Sequence, residues 1–165
     1  MQSKEVTRTK SLVQGSPEAP KLFNLIFDEE LTKFHAKCMK NNWGVSIGGK
    51  EKLCILCFAD HFWILATSAR MLQEMTTAFY DTLVKNGWKV PLDECVWCST
   101  CPNAVQHKVV VNAIEIERRK REEGFKVLGT WITFDNSANL EIDKRVSAAW
   151  AAFAKHRDIL TFGTA

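Results

Sequence analysis

The chain has 165 residues and a formal net charge of +3; 46% of its residues are hydrophobic and 25% are charged. This balance is typical of a soluble globular chain with one domain, and the small net charge does not by itself indicate nucleic-acid binding. No apolar run approaches the roughly 20 residues of a membrane-crossing helix, so no membrane partner is expected. Six cysteines without an apolar leader segment predict reduced thiols and an intracellular location.

The first predicted element is an amphipathic helix. Residues 11–20 hold one glycine and two prolines and should form a loop, with Ser16 available to cap the helix that follows. The helix should end near Asn41-Asn42, because its apolar residues recur at helical spacing only up to that point: Leu22, Phe23, Ile26, Phe27, Leu31, Phe34 and Cys38. Residues 43–47 and 53–58 should then pair as a hairpin around Gly48-Gly49.

Two short apolar runs, residues 53–58 and 62–66, flank one pair of polar residues, Asp60-His61. Each run is short and compatible with a buried strand, so the pattern predicts a second hairpin with Asp60 and His61 in its tight turn. A carboxylate is costly to desolvate, so at such a tip it faces water, a cation or a partner molecule.

The second half continues with helices and strands. Ser68 should cap a helix whose buried stripe ends at Asn86-Gly87 and consists of Leu72, Met75, Phe79 and Leu83. Residues 88–90, 108–116 and 125–134 are predicted strands. A final helix is marked by Leu140, Ile142, Val146, Trp150, Phe153 and Leu160. This order of elements indicates an α+β domain with an antiparallel sheet packed by two helices, followed by a C-terminal helix.

Cys95, Cys98 and Cys101, with His107 further on, are spaced like ligands of zinc or of an iron–sulfur cluster. Metal binding is nevertheless the less favoured interpretation of this spacing.

The one dense basic cluster comprises Arg118, Arg119, Lys120 and Arg121. Glutamates bracket it on both sides, so a solvated face is favoured over a phosphate-binding surface.

Several blocks of the sequence carry a family resemblance. They are Val13 to Asn24, which contains Gln14-Gly15-Ser16-Pro17; Phe58-Ala59-Asp60-His61; Asn86-Gly87-Trp88 continuing through Cys95 to Trp97; Phe125 to Ile132; and Glu141 to Val146. In this order and at this spacing, they resemble the reverse transcriptases of non-LTR (LINE-type) retrotransposons. The resemblance covers about residues 11–160.

The resemblance implies a right-handed-palm polymerase that copies an RNA template into DNA from a DNA primer and deoxynucleoside triphosphates. Residues 1–135 would form a partial palm and residues 136–165 the start of the thumb. Asp60 would be the catalytic carboxylate and a ligand of Mg²⁺, which acts as one of a pair in such sites. Gln14 and Gly15 would contact the nucleotide and template, and Leu128 and Gly129 would form the primer grip.

Three departures from the family pattern predict that the chain is inactive alone. The family's other catalytic carboxylate lies upstream of the Gln-Gly block, so we expect both it and the fingers to be missing here. His61 stands where the family has a second Asp, and Glu94 stands where it has a lysine. The alternative function is a non-catalytic nucleic-acid-binding or assembly remnant. Without the upstream strand, the exposed sheet edge would favour self-association.

Overall fold

The computed structural model describes residues 17–49, 51–101 and 106–161, and the chain forms two compact units, Met1–Val90 and Pro91–Ala165. The described part has three helices: α1 (Ala19–Lys40), α2 (Ala69–Lys85) and α3 (Asn139–Thr161). It has ten short strands: β1 (Val45–Ser46), β2 (Lys52–Leu53), β3 (Ile55–Phe58), β4 (His61–Ile64), β5 (Val96–Trp97), β6 (Val110–Val111), β7 (Ile114–Glu115), β8 (Glu117–Arg118), β9 (Phe125–Val127) and β10 (Thr130–Ile132). None of the described helices is long and apolar enough to cross a bilayer.

Helix α1 begins at Ala19 because Pro20, which lacks an N–H, suits the first turn. Glu18, rather than the predicted Ser16, occupies the N-cap position, and its side chain makes no capping hydrogen bond. The helix ends at Lys40, where the backbone N–H of Asn41 donates to the Lys37 carbonyl at 3.1 Å. The predicted end near Asn41 is therefore confirmed.

Helix α2 has both of its predicted ends. The Ser68 hydroxyl accepts a hydrogen bond from the backbone N–H of Met71 at 3.1 Å, which satisfies one of the free donors of the first turn. After Lys85, the chain leaves the helix through Asn86 and Gly87, and Gly87 has a φ of +83°. This left-handed conformation is why a glycine follows the helix end.

The core of the first unit lies between α1, α2 and the β3–β4 hairpin. Phe79 of α2 packs against Phe34 of α1 at 4.7 Å between ring centroids and against Phe62 of β4 at 4.8 Å. Glu30 is the buried charged residue of this unit, and its carboxylate accepts a hydrogen bond from the Asn86 side chain at 2.5 Å. The two helices are thus joined by an apolar core and by one polar contact at its edge.

The strands of the described residues form five separate pairs rather than one sheet. Four pairs are antiparallel, but β5 and β8 pair in parallel, which the sequence analysis did not predict. The predicted strand over residues 108–116 was wrong: Asn112 and Ala113 have φ values of +49° and +63°, so the chain reverses there between β6 and β7. Residues 88–90 likewise form no strand. A mixed fold of helices and small, mainly antiparallel sheets is confirmed, and the palm assignment and the boundary at residue 135 stay predictions.

Candidate active site

Asp60 lies at the apex of the β3–β4 hairpin. Phe58 pairs with His61 across the two strands, which leaves Ala59 and Asp60 as the two residues of the turn. The sequence analysis placed His61 in the turn as well, whereas His61 is the first residue of β4. The hairpin therefore presents one carboxylate at its tip, with an imidazole immediately beside it.

The turn holds Ala59 in a strained backbone conformation. Its φ is +52°, in the left-handed region that glycine occupies readily and that costs a residue with a Cβ about 1–2 kcal/mol. The two-residue connection requires this sign of φ, because turns that match the twist of a hairpin have positive φ at a central position. Sequence analysis did not identify Ala59, because alanine gives no turn signal.

The hairpin is held in place by its inner face. Ile55, Phe62 and Ile64 pack against the buried core of the first unit, so the strands cannot slide without moving these side chains to the other face. On the opposite face Leu56 and Phe58 are 47% and 60% exposed. The turn is thus fixed to a rigid base and open on its outer side.

The Asp60 carboxylate and the His61 imidazole are paired. Oδ1 of Asp60 lies 2.9 Å from Nδ1 of His61, and their side chains are 78% and 65% exposed. The imidazole ring stacks near the Trp63 ring, with centroids 6.3 Å apart and an interplanar angle of 27°. One oxygen of the carboxylate therefore faces a neighbouring side chain, while the other faces solvent.

The described residues do not fit a magnesium site. Mg²⁺ takes near-octahedral oxygen coordination and is usually held by more than one carboxylate when two ions act together. No group of three His, Cys, Asp or Glu side chains that could hold a metal ion occurs among the described residues. Asp60 brings one carboxylate, and its neighbour His61 offers a nitrogen, which is the softer ligand.

The second unit holds the other two predicted contact residues, Leu128 and Gly129. They form the two-residue turn between β9 and β10, where Val127 pairs with Thr130. Both have positive φ, +48° and +91°, as this kind of turn requires. Leu128 is 59% exposed, so this hairpin presents an apolar side chain to solvent at a strained position.

Helix α3 supports the β9–β10 hairpin through a side chain that the sequence analysis gave no role. The carboxylate of Glu141 accepts a hydrogen bond from the backbone N–H of Trp131 at 2.7 Å and pairs with Arg145. This backbone hydrogen bond, helped by Arg145, holds the pKa of Glu141 below its ordinary value. Lys144 lies over the Trp131 ring at 5.3 Å. An acidic residue in a first helical turn, such as Glu141, was the only sequence signal for this contact.

A shallow cleft of about 300 Å³ borders the same hairpin in the second unit. Its walls combine two cations, two carboxylates and apolar surface, contributed by Glu117, Arg119, Glu123, Trp131, Leu140 and Lys144. The charges largely offset one another, so the cleft has no strong preference for an anion or a cation.

Glu94, the other departure from the family pattern, lies in an exposed turn of the second unit. Its backbone N–H donates to the Pro91 carbonyl at 3.1 Å. The nearby thiols of Cys95 and Cys98 are partly buried, and burial raises the pKa of both. The interpretation of the cysteine spacing as a metal site stays a prediction that these contacts do not test.

The basic cluster of residues 118–121 is engaged within the second unit. Arg118 stacks over the Trp97 ring at 5.7 Å, and the Arg121 guanidinium donates twice to the Phe134 carbonyl, at 2.9 and 3.2 Å. Nε of Arg119 lies 3.0 Å from a carboxylate oxygen of Glu117, close enough for an ion pair but not aligned for a hydrogen bond. These contacts favour a structural role for the cluster over a free phosphate-binding surface.

A sequence profile of the family described as reverse transcriptase (RNA-dependent DNA polymerase) matches residues 1–132. The chain belongs to the reverse transcriptase family. The match spans α1, α2, the Asp60 turn and the Leu128-Gly129 turn. No significant match was found among curated proteins or among solved structures.

Reverse transcriptases act on nucleic acids and generally depend on metal ions, so family membership gives the Asp60 turn its context. Asp60 and His61 lie in the first unit, and Glu94, Leu128 and Gly129 lie in the second. Gln14 and Gly15 lie outside the described residues. The roles of all seven residues stay predictions.

Proposed function

We propose that the chain is a palm segment, with the start of the thumb, of an RNA-directed DNA polymerase from a non-LTR (LINE-type) retrotransposon. Family membership supports the polymerase part of this assignment. The motif blocks around Gln14, Asp60 and Leu128 support the non-LTR subtype. The single observation that carries the proposal is the hairpin that holds Asp60 at its apex, since a catalytic carboxylate in this family belongs on such a turn.

In this proposal, the chain does not polymerise DNA by itself. Asp60 belongs to no group of three or more metal-ligating side chains in the part of the chain that the structure describes. One of its oxygens faces Nδ1 of His61, which adds no negative charge to the turn. Such a turn lacks the concentrated negative charge that holds a pair of divalent cations, so no catalytic step is assigned to a metal here.

Primer extension tests the proposal. The 165-residue chain is incubated with a poly(rA) template, an oligo(dT) primer and dTTP, in the presence of Mg²⁺ or Mn²⁺. We expect no incorporation above that of the Asp60→Ala variant. Incorporation that Asp60→Ala abolishes, and that Asp28→Ala preserves, would overturn the proposed inactivity; Asp28 is an exposed carboxylate on α1 of the same unit.

The exposed Leu128 turn favours the second candidate, a non-catalytic module that binds nucleic acid. An apolar side chain at 59% exposure and a φ of +48° is costly for folding and suits a contact surface. Binding of a fluorescent RNA–DNA hybrid, measured over a range of salt concentrations, tests this candidate. Absence of binding at low salt would reject it.

The predicted self-association stays a proposal. The β3–β4 pair has two strands in the described residues, so each strand has an outer edge with unpaired backbone groups. The exposed Leu56 and Phe58 lie on this hairpin. Light scattering that shows a monomer at high concentration would contradict the proposal.

A further inference from the structure

Asn86 and Gly87, which follow helix α2, form the one Asn-Gly pair in the sequence. Asparagine deamidates fastest before glycine, because glycine has no side chain to hinder attack by its own backbone nitrogen. In this reaction that nitrogen attacks Cγ of the asparagine, a succinimide ring closes, and ammonia leaves with the proton of the glycine N–H. Water then opens the ring at either carbonyl, which gives aspartate or isoaspartate, and no electrons are transferred.

The backbone at the end of α2 opposes ring closure at Asn86. Its ψ of 11° nearly eclipses the Gly87 nitrogen with the backbone nitrogen of Asn86. The side chain branches from another tetrahedral position of Cα, so it is turned away from the Gly87 nitrogen. The Gly87 N–H also donates to the Val84 carbonyl at 3.0 Å. Deamidation therefore requires the end of α2 to open first.

The side-chain amide of Asn86 is held in place as well. Its Nδ2 donates to Oε2 of Glu30 at 2.5 Å and to the Thr82 carbonyl at 3.0 Å, which uses both of its N–H bonds. Glu30 is buried on α1, and its other carboxylate oxygen lies 3.3 Å from Nζ of Lys33. Glu30 thus connects α1 to the amide group that deamidation would remove.

Deamidation would turn this attractive contact into a repulsive one. An aspartate at position 86 has no side-chain N–H to donate, so the Glu30 carboxylate would face a second carboxylate in place of its donor. A buried acceptor that loses its donor destabilises the folded state, and the like charge adds repulsion. Isoaspartate also lengthens the main chain by one carbon where α2 ends. Both products therefore weaken the joint between α1 and α2.

We propose that Asn86 is a deamidation site that its contact with Glu30 protects in the folded chain, and whose modification uncouples α1 from α2. The reaction proceeds from the opened end of α2, so its rate follows how often that end opens. A modified copy opens more readily than an unmodified one, and the change is not reversed by refolding. The site therefore records local unfolding of the first unit as a permanent loss of stability.

Mass spectrometry of proteolytic peptides measures the rate of deamidation at Asn86 in the 165-residue chain, held at one slightly alkaline pH. We expect the rate in buffer to be lower than the rate in urea by about tenfold or more, because opening is rare in the folded chain. Glu30→Ala should raise the rate in buffer about fivefold, because the hydrogen bond to the amide is lost. Glu29→Ala is the matched control and should leave the rate unchanged, because Glu29 pairs with Lys33 at 2.8 Å instead.

Three results of this measurement would overturn the proposal. They are equal rates in buffer and in urea, a Glu30→Ala rate equal to that of the native chain, and an absence of aspartate and isoaspartate at position 86 even in urea. Far-UV circular dichroism of Glu30→Ala shows whether a faster rate comes from the lost contact or from a lost fold. A second test does not depend on that variant.

Asn86→Asp, which carries the aspartate product, tests the consequence of the modification. We expect it to unfold at a lower urea concentration than the native chain does. In the Glu30→Gln background, the glutamine can donate a side-chain N–H to the aspartate, so Asn86→Asp should lower the midpoint much less there. An equal loss in the two backgrounds would overturn the role of Glu30. An Asn86→Asp chain as stable as the native one would overturn the uncoupling of the two helices.

Discussion

Nδ1 of His61 lies 2.9 Å from Oδ1 of Asp60 at the apex of the β3–β4 hairpin. The family pattern has an aspartate at the position of His61, so an imidazole stands here where a second negative charge would be. The pair is largely exposed, and its mutual attraction contributes little to stability. The main consequence of this pair concerns which ions the turn can bind.

Replacing His61 by aspartate should create a cation-binding turn. His61→Asp places two carboxylates at the tip, and we expect the affinity for Mn²⁺ to rise about tenfold because affinity follows the number of charged oxygen ligands. Paramagnetic broadening of the amide signals of residues 58–62 during a Mn²⁺ titration measures this. His61→Asn, which adds no charge, is the control and should behave as the native chain does. A native chain that binds Mn²⁺ as tightly as His61→Asp would contradict the prediction.

Replacing Ala59 by glycine should stabilise the first unit. The φ of +52° strains alanine but not glycine, so Ala59→Gly should raise the free energy of unfolding by about 1 kcal/mol. Urea-induced unfolding followed by circular dichroism measures the change. Ala36→Gly on the exposed side of α1 is the control and should lower the free energy of unfolding by a similar amount, because it weakens a helix. A destabilising Ala59→Gly would show that the turn is not strained.

Removing the charge of Glu141 should change how stability depends on pH. The Trp131 N–H lowers the pKa of this carboxyl below its ordinary value of 4.5, so its contribution is complete above that value and is lost as the pH falls through the lowered pKa. Glutamine can accept the same hydrogen bond but does not ionise. The native chain should therefore be more stable than Glu141→Gln near neutral pH, and the two should converge on acidification.

Thermal unfolding of the native chain and of Glu141→Gln between about pH 7 and about pH 3 checks this convergence. Glu122→Gln, at an exposed position of the same unit, is the control. A difference in stability that stays constant over the whole range would show that the Glu141 charge is not coupled to folding.

Replacing Leu128 by asparagine should separate stability from nucleic-acid binding. Asparagine tolerates a φ of +48° better than leucine, so Leu128→Asn should stabilise the β9–β10 hairpin. Leu128→Asn should also weaken the binding of an RNA–DNA hybrid about threefold, because the apolar contact between Leu128 and the bound hybrid is lost. Fluorescence anisotropy measures the binding.

Ala113→Asn is the control for Leu128→Asn. Ala113 has a φ of +63° in the exposed turn between β6 and β7, so asparagine relieves strain there without touching the Leu128 turn. Unchanged hybrid binding by Leu128→Asn, with the expected gain in stability, would remove the primer-grip assignment.

The features that could be predicted from the sequence are those with a local cause. Ser68 and Gly87 end helix α2 through their own chemistry, and two apolar runs around Asp60 are sufficient to specify a hairpin. The β6–β7 reversal was missed because Asn112-Ala113 lacks the glycine that usually indicates such a turn.

Other features depend on contacts that local sequence does not encode. The hydrogen bond from Trp131 to Glu141 joins residues ten positions apart, in a strand and a helix, and no periodicity relates them. The helical spacing of Val146 and Trp150 correctly predicted the helix, but periodicity alone does not say which molecule covers the apolar face.

The measurement that tests the central claim most directly is dTMP incorporation on poly(rA)·oligo(dT) by the 165-residue chain. Our account predicts the same background for the native chain and for Asp60→Ala, with either Mg²⁺ or Mn²⁺. Template-dependent extension by the native chain, lost in Asp60→Ala, would contradict the account by showing that the turn assembles a working active site.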